Sequence, residues 1–302
     1  MFDISGKSRT LRTATAVAVL RVSERTPLLI REGKVPKGDP LQVARVAAIQ
    51  AAKNTSQIIP FCHPIPIEHV SVEFEVLETQ IVSTVSVKAT YKTGVEVEAI
   101  TAASVAALTL YDMLKMVDDD LQIEQVRLVS KEGGKGDWRD VFKKPPRAAV
   151  VVLSDSVSAG KKKDTAGQAI VDRLRQEQVE VVNYEILPDD PVAIKELLTR
   201  YADVDQLDLV LTTGGTGLSP RDFTPEATTE VLEREAPGII QAAIGYGLER
   251  TPRAMLGRGK AGLRGKTLII NLPGSRKGTQ ESLDALFPSV LHALKMIEGG
   301  GH

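Results

Sequence analysis

The feature that most constrains this chain is a glycine-rich loop between residues 212 and 225. An apolar run at 207–211, LDLVL, reads as a short buried strand and leads directly into TTGGTG and then LSPRDFTPEAT. Gly214, Gly215 and Gly217 let backbone N–H groups approach an anion with no Cβ in the way. Thr224 reads as a helix N-cap and Pro225 as the first helical residue, with Glu226 in the first turn. Strand, glycine turn and helix N-terminus make a phosphate-binding layout. Its spacing is neither the Walker A pattern nor G-x-G-x-x-G. Asp222, just beyond the glycines, is placed to hold Mg²⁺ on a phosphate. This half of the chain therefore reads as a nucleotide-handling enzyme.

Strands and helices alternate around that loop. Residues 148–153 form a continuous apolar strand. A helix follows from Asp164, then a strand at 179–187 and a helix after Pro191. Beyond the glycine loop come a buried strand at 266–272 and a final helix from Thr279. This rhythm predicts a doubly wound α/β domain with a mostly parallel sheet, whose ligands bind beyond the carboxyl ends of the strands. SDS (154–156), LPDD (187–190), TTGGTG and NLPGS (271–275) all fall at strand ends. Asp189 and Asp222 are the carboxylates expected to converge there. Each is also readable as a turn residue, Asp189 in Pro-Asp-Asp-Pro above all. Lys161, Lys162 and Lys163 read as a solvated loop or as a collector of triphosphate.

A chain of 302 residues is long enough for two domains. The boundary is set at KKPPR, where two prolines between charges suit a stiff linker, giving domains 1–144 and 145–302. The preceding EGGKGD reads as a mobile loop. In the first half, a strand is expected at 13–22. Asp39–Pro40 opens a helix through Leu41, Ala44, Ala48, Ala51 and Ala52. Strands at 70–76 and 82–91 form a hairpin, and a long apolar helix runs over 99–117. The class expected for this half is α+β, an antiparallel sheet with helices. Basic and acidic residues nearly cancel, 38 against 39, so no global field points to nucleic acid or to a membrane. The lone cysteine excludes an intrachain disulfide. No apolar stretch reads as long enough to span a bilayer and no signal peptide is visible, so the cytoplasm is the expected location.

Three constellations in this half carry possible chemistry. In PFCHP, Cys62 and His63 sit on a stiff extended loop. His63 is readable as a structural histidine or, with Cys62 and His69, as a metal ligand. Glu96 and Glu98, read as strand residues, share one face; they are either a solvated edge or an acid/base or substrate-orienting pair. Asp112 and Lys115, at i,i+3 on the apolar helix, are either a surface ion pair or a catalytic pair. Lys37 stands just before a helix start, suited to phosphate.

With these residues in place, VPKGDPLQVARVAAIQAAKNT, IIPFCHPIPI, KTGVEVEAITAASVAALTLYDMLKMV and VRLVSKEGGKGD resemble the cyclic pyranopterin monophosphate synthase (MoaC) family over nearly all of residues 2–137. The resemblance implies conversion of 3′,8-cyclo-7,8-dihydro-GTP to cyclic pyranopterin monophosphate with release of pyrophosphate. It implies a pocket of Lys37, Cys62, His63, Glu96, Glu98, Asp112 and Lys115. Lys115 and Asp112 are its acid/base pair, and His63 and Lys37 contact the substrate and its phosphates. The family often carries a histidine two positions before the KGD lysine, where Val35 stands here, and this N-terminus is short.

VVLSDSVSAGKKKDTAGQAI, LPDD, LVLTTGGTGLSPRDFTPEATTEVLEREAPG and GKTLIINLPGSRKG resemble the molybdopterin adenylyltransferase (MoaB/MogA) family over roughly 148–298. That resemblance implies MgATP-dependent adenylylation of molybdopterin. Asp189 and Asp222 are its essential aspartates and Mg²⁺ ligands. Gly214, Gly215, Thr216 and Gly217 are its phosphate loop. Ser154, Asp155, Gly274 and Ser275 lie near pterin and nucleotide. Mg²⁺ would arrive with ATP as co-substrate, and no tightly bound cofactor is expected. The whole chain is thus expected to be a bifunctional enzyme of molybdenum cofactor biosynthesis acting on small molecules. It would form a homo-oligomer of threefold symmetry, a trimer or hexamer, because the synthase family builds its site from two subunits. The alternative is a second half that only binds molybdopterin or ATP, or only trimerises the chain.

Overall fold

The structure is a computed structural model, and residues 1–300 are described. The chain forms two compact units, Met1–Asp137 and the segment from Trp138 onward. Residues 138–144 belong to the second unit: Phe142 packs on its core, and Asp140 accepts from Lys295 Nζ at 2.6 Å.

The first unit comprises β1 (Thr10–Arg21), α1 (Thr26–Arg31), α2 (Pro40–Ile58), β2 (His69–Val76), β3 (Gln80–Tyr91), α3 (Glu96–Leu114) and β4 (Gln122–Glu132). Its sheet has the order β2-β3-β1-β4, antiparallel throughout. β1 alternates strictly, with Ala14, Ala16 and Ala18 facing inward and threonines and valines outward. Across the core stand Ala99, Ala102, Ala103, Ala106 and Ala107 of α3 and Ala48 and Ala52 of α2. A layer built of alanines lets helices and sheet approach closely, so even one added methylene there would be felt. Asp39 caps α2, accepting from the N–H of Leu41 at 2.9 Å and Gln42 at 3.2 Å, with Pro40 in the first turn.

The expected antiparallel sheet with helices is present, with three local corrections. Glu96 and Glu98 are not on a strand: they occupy the first turn of α3, where carboxylates complement the helix dipole. β4 was not expected; it is an edge strand exposed along nearly its whole length, so it lacks the alternation of a half-buried strand. EGGKGD is not a featureless loop, because Gly133 and Gly134 both donate to Asp137 Oδ2, at 2.6 and 3.0 Å, and a 3₁₀ turn follows. By length and composition α3 is also apolar enough to cross a membrane, contrary to the sequence expectation. It is a core helix, packed between α2 and the sheet.

The second unit comprises β5 (Arg147–Leu153), α4 (Asp155–Ser158), α5 (Ala166–Gln176), β6 (Glu180–Leu187), α6 (Pro191–Asp203), β7 (Leu209–Thr213), α7 (Thr224–Val231), β8 (Arg234–Glu235), α8 (Pro237–Leu248), β9 (Ala261–Arg264), β10 (Thr267–Leu272), α9 (Arg276–Leu286) and α10 (His292–Ile297). The sheet order is β6-β5-β7-β10-β9-β8. β6, β5, β7 and β10 are parallel; β9 and β8 add an antiparallel edge. Side chains alternate across the sheet into two cores. Val150, Leu211 and Ile270 meet α5 and α9 on one face. Val151, Val210 and Ile269 meet α6 and α7 on the other. This is the doubly wound arrangement expected, and it sends four strand ends to one edge. The final helix begins at Arg276, capped by Ser275 Oγ, rather than at Thr279, and α10 follows it.

Candidate active sites

In the first unit, one group forms at the C-terminal end of α3. The turn before α2 is closed by Gly38 N donating to Val35 O at 3.0 Å, with Gly38 at φ +93°, and it projects Lys37 toward α3. Lys37 Nζ donates to Asp112 Oδ2 at 2.7 Å and to the Asp112 carbonyl at 2.8 Å. Lys115 Nζ lies 2.8 Å from Asp112 Oδ1. Lys115 first and Lys37 second hold the Asp112 carboxyl down at about 2, so it is ionised at any working pH. In return Asp112 raises the Lys115 pKa, keeping it a protonated amine. Val35 is buried, 5% exposed, among Leu20, Ala44 and Leu110, so the position often held by a histidine is structural here.

A second group forms at the other end of α3. Glu98 is 2% exposed; Cys62 Sγ donates to its Oε1 at 3.1 Å and its Oε2 is buried without a partner. Burial raises the Glu98 pKa, and burial with the Glu98 contact pushes the Cys62 thiol up to about 12. Glu96 folds back over Gly94, where a Cβ would lie 2.0 Å from Glu96 Oε2, and it pairs with Lys131 at 3.5 Å. Arg12, 8% exposed, carries its charge toward Glu96 and Asp137. The sequence reading did not single out Arg12; its position in an inward-outward alternating strand offered the only signal. His63 Nε2 stands 3.0 Å from the carbonyl of Phe2. Among the described residues no group of three or more His, Cys, Asp or Glu is arranged to hold a metal, which removes the metal reading of Cys62, His63 and His69. Fourteen residues separate Glu98 from Asp112, about 21 Å along the helix. The chain therefore brings Lys37, Asp112 and Lys115 together, and Cys62 with Glu96 and Glu98, as two groups at opposite ends of α3.

In the second unit, the four strand-end motifs meet. Gly214 and Gly215 have φ of +105° and +59°. A Cβ on Gly214 would lie 2.0 Å from Leu153 O; one on Gly215 would lie 2.2 Å from Thr224 Oγ1 and 2.9 Å from Asp189 Oδ1. Gly274 presses on the Gly214 backbone, and Thr213 Oγ1 donates to Pro273 O at 2.7 Å. Thr224 is the first residue of α7 rather than its N-cap, and its hydroxyl turns back to donate to Gly214 O at 3.0 Å. Asp189 N donates to Asp155 Oδ1 at 3.2 Å, and Arg221 reaches Asp155 Oδ2 at 3.5 Å. Asp189 Oδ1 is buried without a partner. Burial foremost, with the charges of Asp155 and Asp222 added, raises the Asp189 pKa. Asp222 Oδ2 accepts from Ser219 N at 3.0 Å. Ser154 and Ser156 hydroxyls share a 3.2 Å contact at the mouth of β5. A cleft of ≈ 390 Å³ opens beside the loop, with Thr216, Asn271, Pro273, Ser275 and Lys277 in its wall.

Arg258 escaped the sequence reading altogether, because GRGK lies in an irregular stretch with no motif. Its backbone N–H donates to Thr216 O at 3.0 Å, Nε to Gly217 O at 2.7 Å and Nη2 to Asp222 O at 2.8 Å, while Nη1 pairs with Glu226.

One unit with a paired-lysine carboxylate and another with a carboxylate-ringed glycine loop define a two-domain enzyme. Residues 1–134 match the model of the MoaC family, and residues 149–292 match that of a probable molybdopterin binding domain. The chain is 38% identical over 302 residues to the molybdenum cofactor biosynthesis bifunctional protein of Chlorobaculum tepidum, covering 100% of this chain and 96% of that one. The namesake in Synechococcus elongatus is 35% identical over 315 residues, covering 100% and 98%. Cyclic pyranopterin monophosphate synthase 2 of Mycobacterium bovis is 51% identical over 139 residues, 46% of this chain and 83% of that one. The chain belongs to the family of molybdenum cofactor biosynthesis bifunctional proteins, a MoaC enzyme unit followed by a MoaB/MogA-type unit.

Proposed function

We propose that the first unit converts 3′,8-cyclo-7,8-dihydro-GTP to cyclic pyranopterin monophosphate and pyrophosphate, and that the second adenylylates molybdopterin with ATP. In the first unit Lys115, held protonated by Asp112, donates the proton, while Lys37 and His63 face the phosphates. Cys62, Glu96 and Glu98 belong to the same reaction. Because they stand at the far end of α3, and His63 stands beside Cys62, a second copy of the chain supplies His63 along with them, and the working form is a trimer or hexamer with threefold symmetry. The molecule works in the cytoplasm on small-molecule substrates, without nucleic acid or membrane.

The observation that carries the second activity is the unpartnered, buried Oδ1 of Asp189 with Asp155 and Asp222 beside it. Carboxylates crowded this way suit a divalent cation. The set suits Mg²⁺, which keeps waters and takes one or two carboxylates plus phosphates. Asp189 and Asp222 would hold it, and bound there it would offset charge on the ATP phosphates. Gly214, Gly215, Thr216 and Gly217 line the phosphate path; Ser154, Asp155, Gly274 and Ser275 border pterin and nucleotide. Incubating the purified chain with molybdopterin and MgATP tests this. Adenylylated molybdopterin from wild type but not from Asp222→Asn or Asp189→Asn is the expected result. No product from a folded protein that still binds both ligands would overturn it and make this unit a binding or trimerising module.

A further inference from the structure

We propose that Arg258 is a positioning residue of the second unit: it closes the Gly217–Asp222 segment and so aims Asp222. Outside Arg258, the segment has the long 3.5 Å pair from Arg221 to Asp155 and a few bonds of its own. Its internal bonds are Asp222 N to Ser219 O at 3.0 Å, Ser219 N to Asp222 Oδ2 at 3.0 Å and a long 3.4 Å contact from Arg221 N to Ser219 Oγ. Arg258 ties both ends of the segment at once. Its Nε takes the Gly217 carbonyl at one end, Nη2 takes the Asp222 carbonyl at the other, and Nη1 anchors the fork to Glu226 on α7. Its own backbone N–H takes Thr216 O, fixing the base of the side chain to the phosphate loop.

The guanidinium is suited to this by its shape. Its three nitrogens each take a different oxygen, which five N–H groups in a rigid fork can satisfy together. A lysine ammonium on a flexible stem would reach one of them. None of these bonds consumes the Asp222 carboxylate itself. Arg258 therefore sets where the carboxylate stands without neutralising it, and its Arg258–Glu226 pair keeps its charge local.

The kinetic part of the test rests on the adenylyl-transfer reading; the hydrogen-exchange part does not. In the full-length chain, Arg258→Ala is expected to lower kcat for ATP- and molybdopterin-dependent pyrophosphate release by about 10²-fold, with KM for ATP little changed. Millimolar guanidinium chloride should restore much of it, and Arg258→Lys should not. Amides of residues 217–224 should exchange at least about tenfold faster in Arg258→Ala, while those of β7 and β10 stay protected. Glu226→Gln removes one anchor with the fold intact and should give a smaller loss in the same direction. Unchanged kcat with unchanged exchange in the 217–224 segment would overturn the proposal, as would a loss that guanidinium leaves untouched. Wild type without turnover, but with faster exchange in Arg258→Ala, would sink adenylyl transfer and leave the positioning role standing.

Discussion

Lys37 reaches across 75 residues of sequence to hold Asp112 twice, through Oδ2 at 2.7 Å and through the main-chain carbonyl at 2.8 Å. The second bond fixes the lysine even when the carboxylate is altered. Asp112→Asn should therefore keep Lys37 in place while releasing Lys115. Loss of the anion removes what raises the Lys115 pKa, so its proton leaves at lower pH. The expected outcome is a fall of about 10²–10⁴-fold in synthase kcat/KM, with the basic limb of the pH profile moved to lower pH. Stopped-flow or product assays across the alkaline range check it. A basic limb that stays where it is would remove Lys115 as the proton donor.

Cys62 and Glu98 make a second titrating pair. With its thiol up at about 12 against an ordinary 9.0, Cys62 should alkylate on the order of 10³-fold more slowly at pH 8 than in the unfolded chain. As the lone cysteine it can be followed by mass alone. Glu98→Gln should speed the reaction, since the Glu98 carboxylate helps hold the thiol up. Glu98 also sets a pH dependence of stability. Its folded pKa is raised, so its contribution is intact below the ordinary glutamate range and is lost as pH rises through the raised value. Tm of the first unit should decline over that window in wild type, and Glu98→Gln should flatten the decline.

The sequence made the second unit legible because its strands are continuous apolar runs punctuated by glycine and proline, and because Asp189, Asp222 and the double glycine sit where a parallel sheet ends. Boundaries slipped by a residue or a few where caps compete: Thr224 looks like an N-cap and instead spends its hydroxyl on Gly214 O. α8 went unread because PGIIQAAIGYGL carries three glycines and no polar face to give a period. Val-Glu-Val-Glu alternates and so reads as strand at Glu96 and Glu98; the tertiary demand for a long alanine helix overrides that local pattern. What pattern could not reveal at all is Arg258, whose three side-chain acceptors are two main-chain carbonyls and a carboxylate that lie 32 to 41 residues upstream.

At Gly215 the phosphate loop leaves no room for a side chain. Gly215→Ala would need a side chain at φ +59° with its Cβ 2.2 Å from Thr224 Oγ1 and 2.9 Å from Asp189 Oδ1. Thr224 is fully buried and cannot step aside. The substitution should cost about 2–3 kcal/mol in the second unit and abolish adenylyl transfer. Synthase turnover by the first unit should persist. Calorimetry with both activity assays separates the two effects; an active, equally stable Gly215→Ala would mean the loop is not held as described.

Asp189 gives the pH test of the second site. Its pKa is raised by burial and by the charges of Asp155 and Asp222, so ionised Asp189 is recruited only as pH rises above the ordinary aspartate range. If adenylyl transfer needs the anion, the acid limb of its pH profile should lie above that range. Asp155→Asn removes one repelling carboxylate and should move the limb to lower pH. Raising Mg²⁺ should move it the same way, because a cation binds the deprotonated form and releases its proton. Chelation should abolish turnover and return the titration to its high position, read by infrared absorption of the carboxyl group. A limb insensitive to both Mg²⁺ and Asp155→Asn would place the cation elsewhere and leave Asp189 a half-buried structural acid.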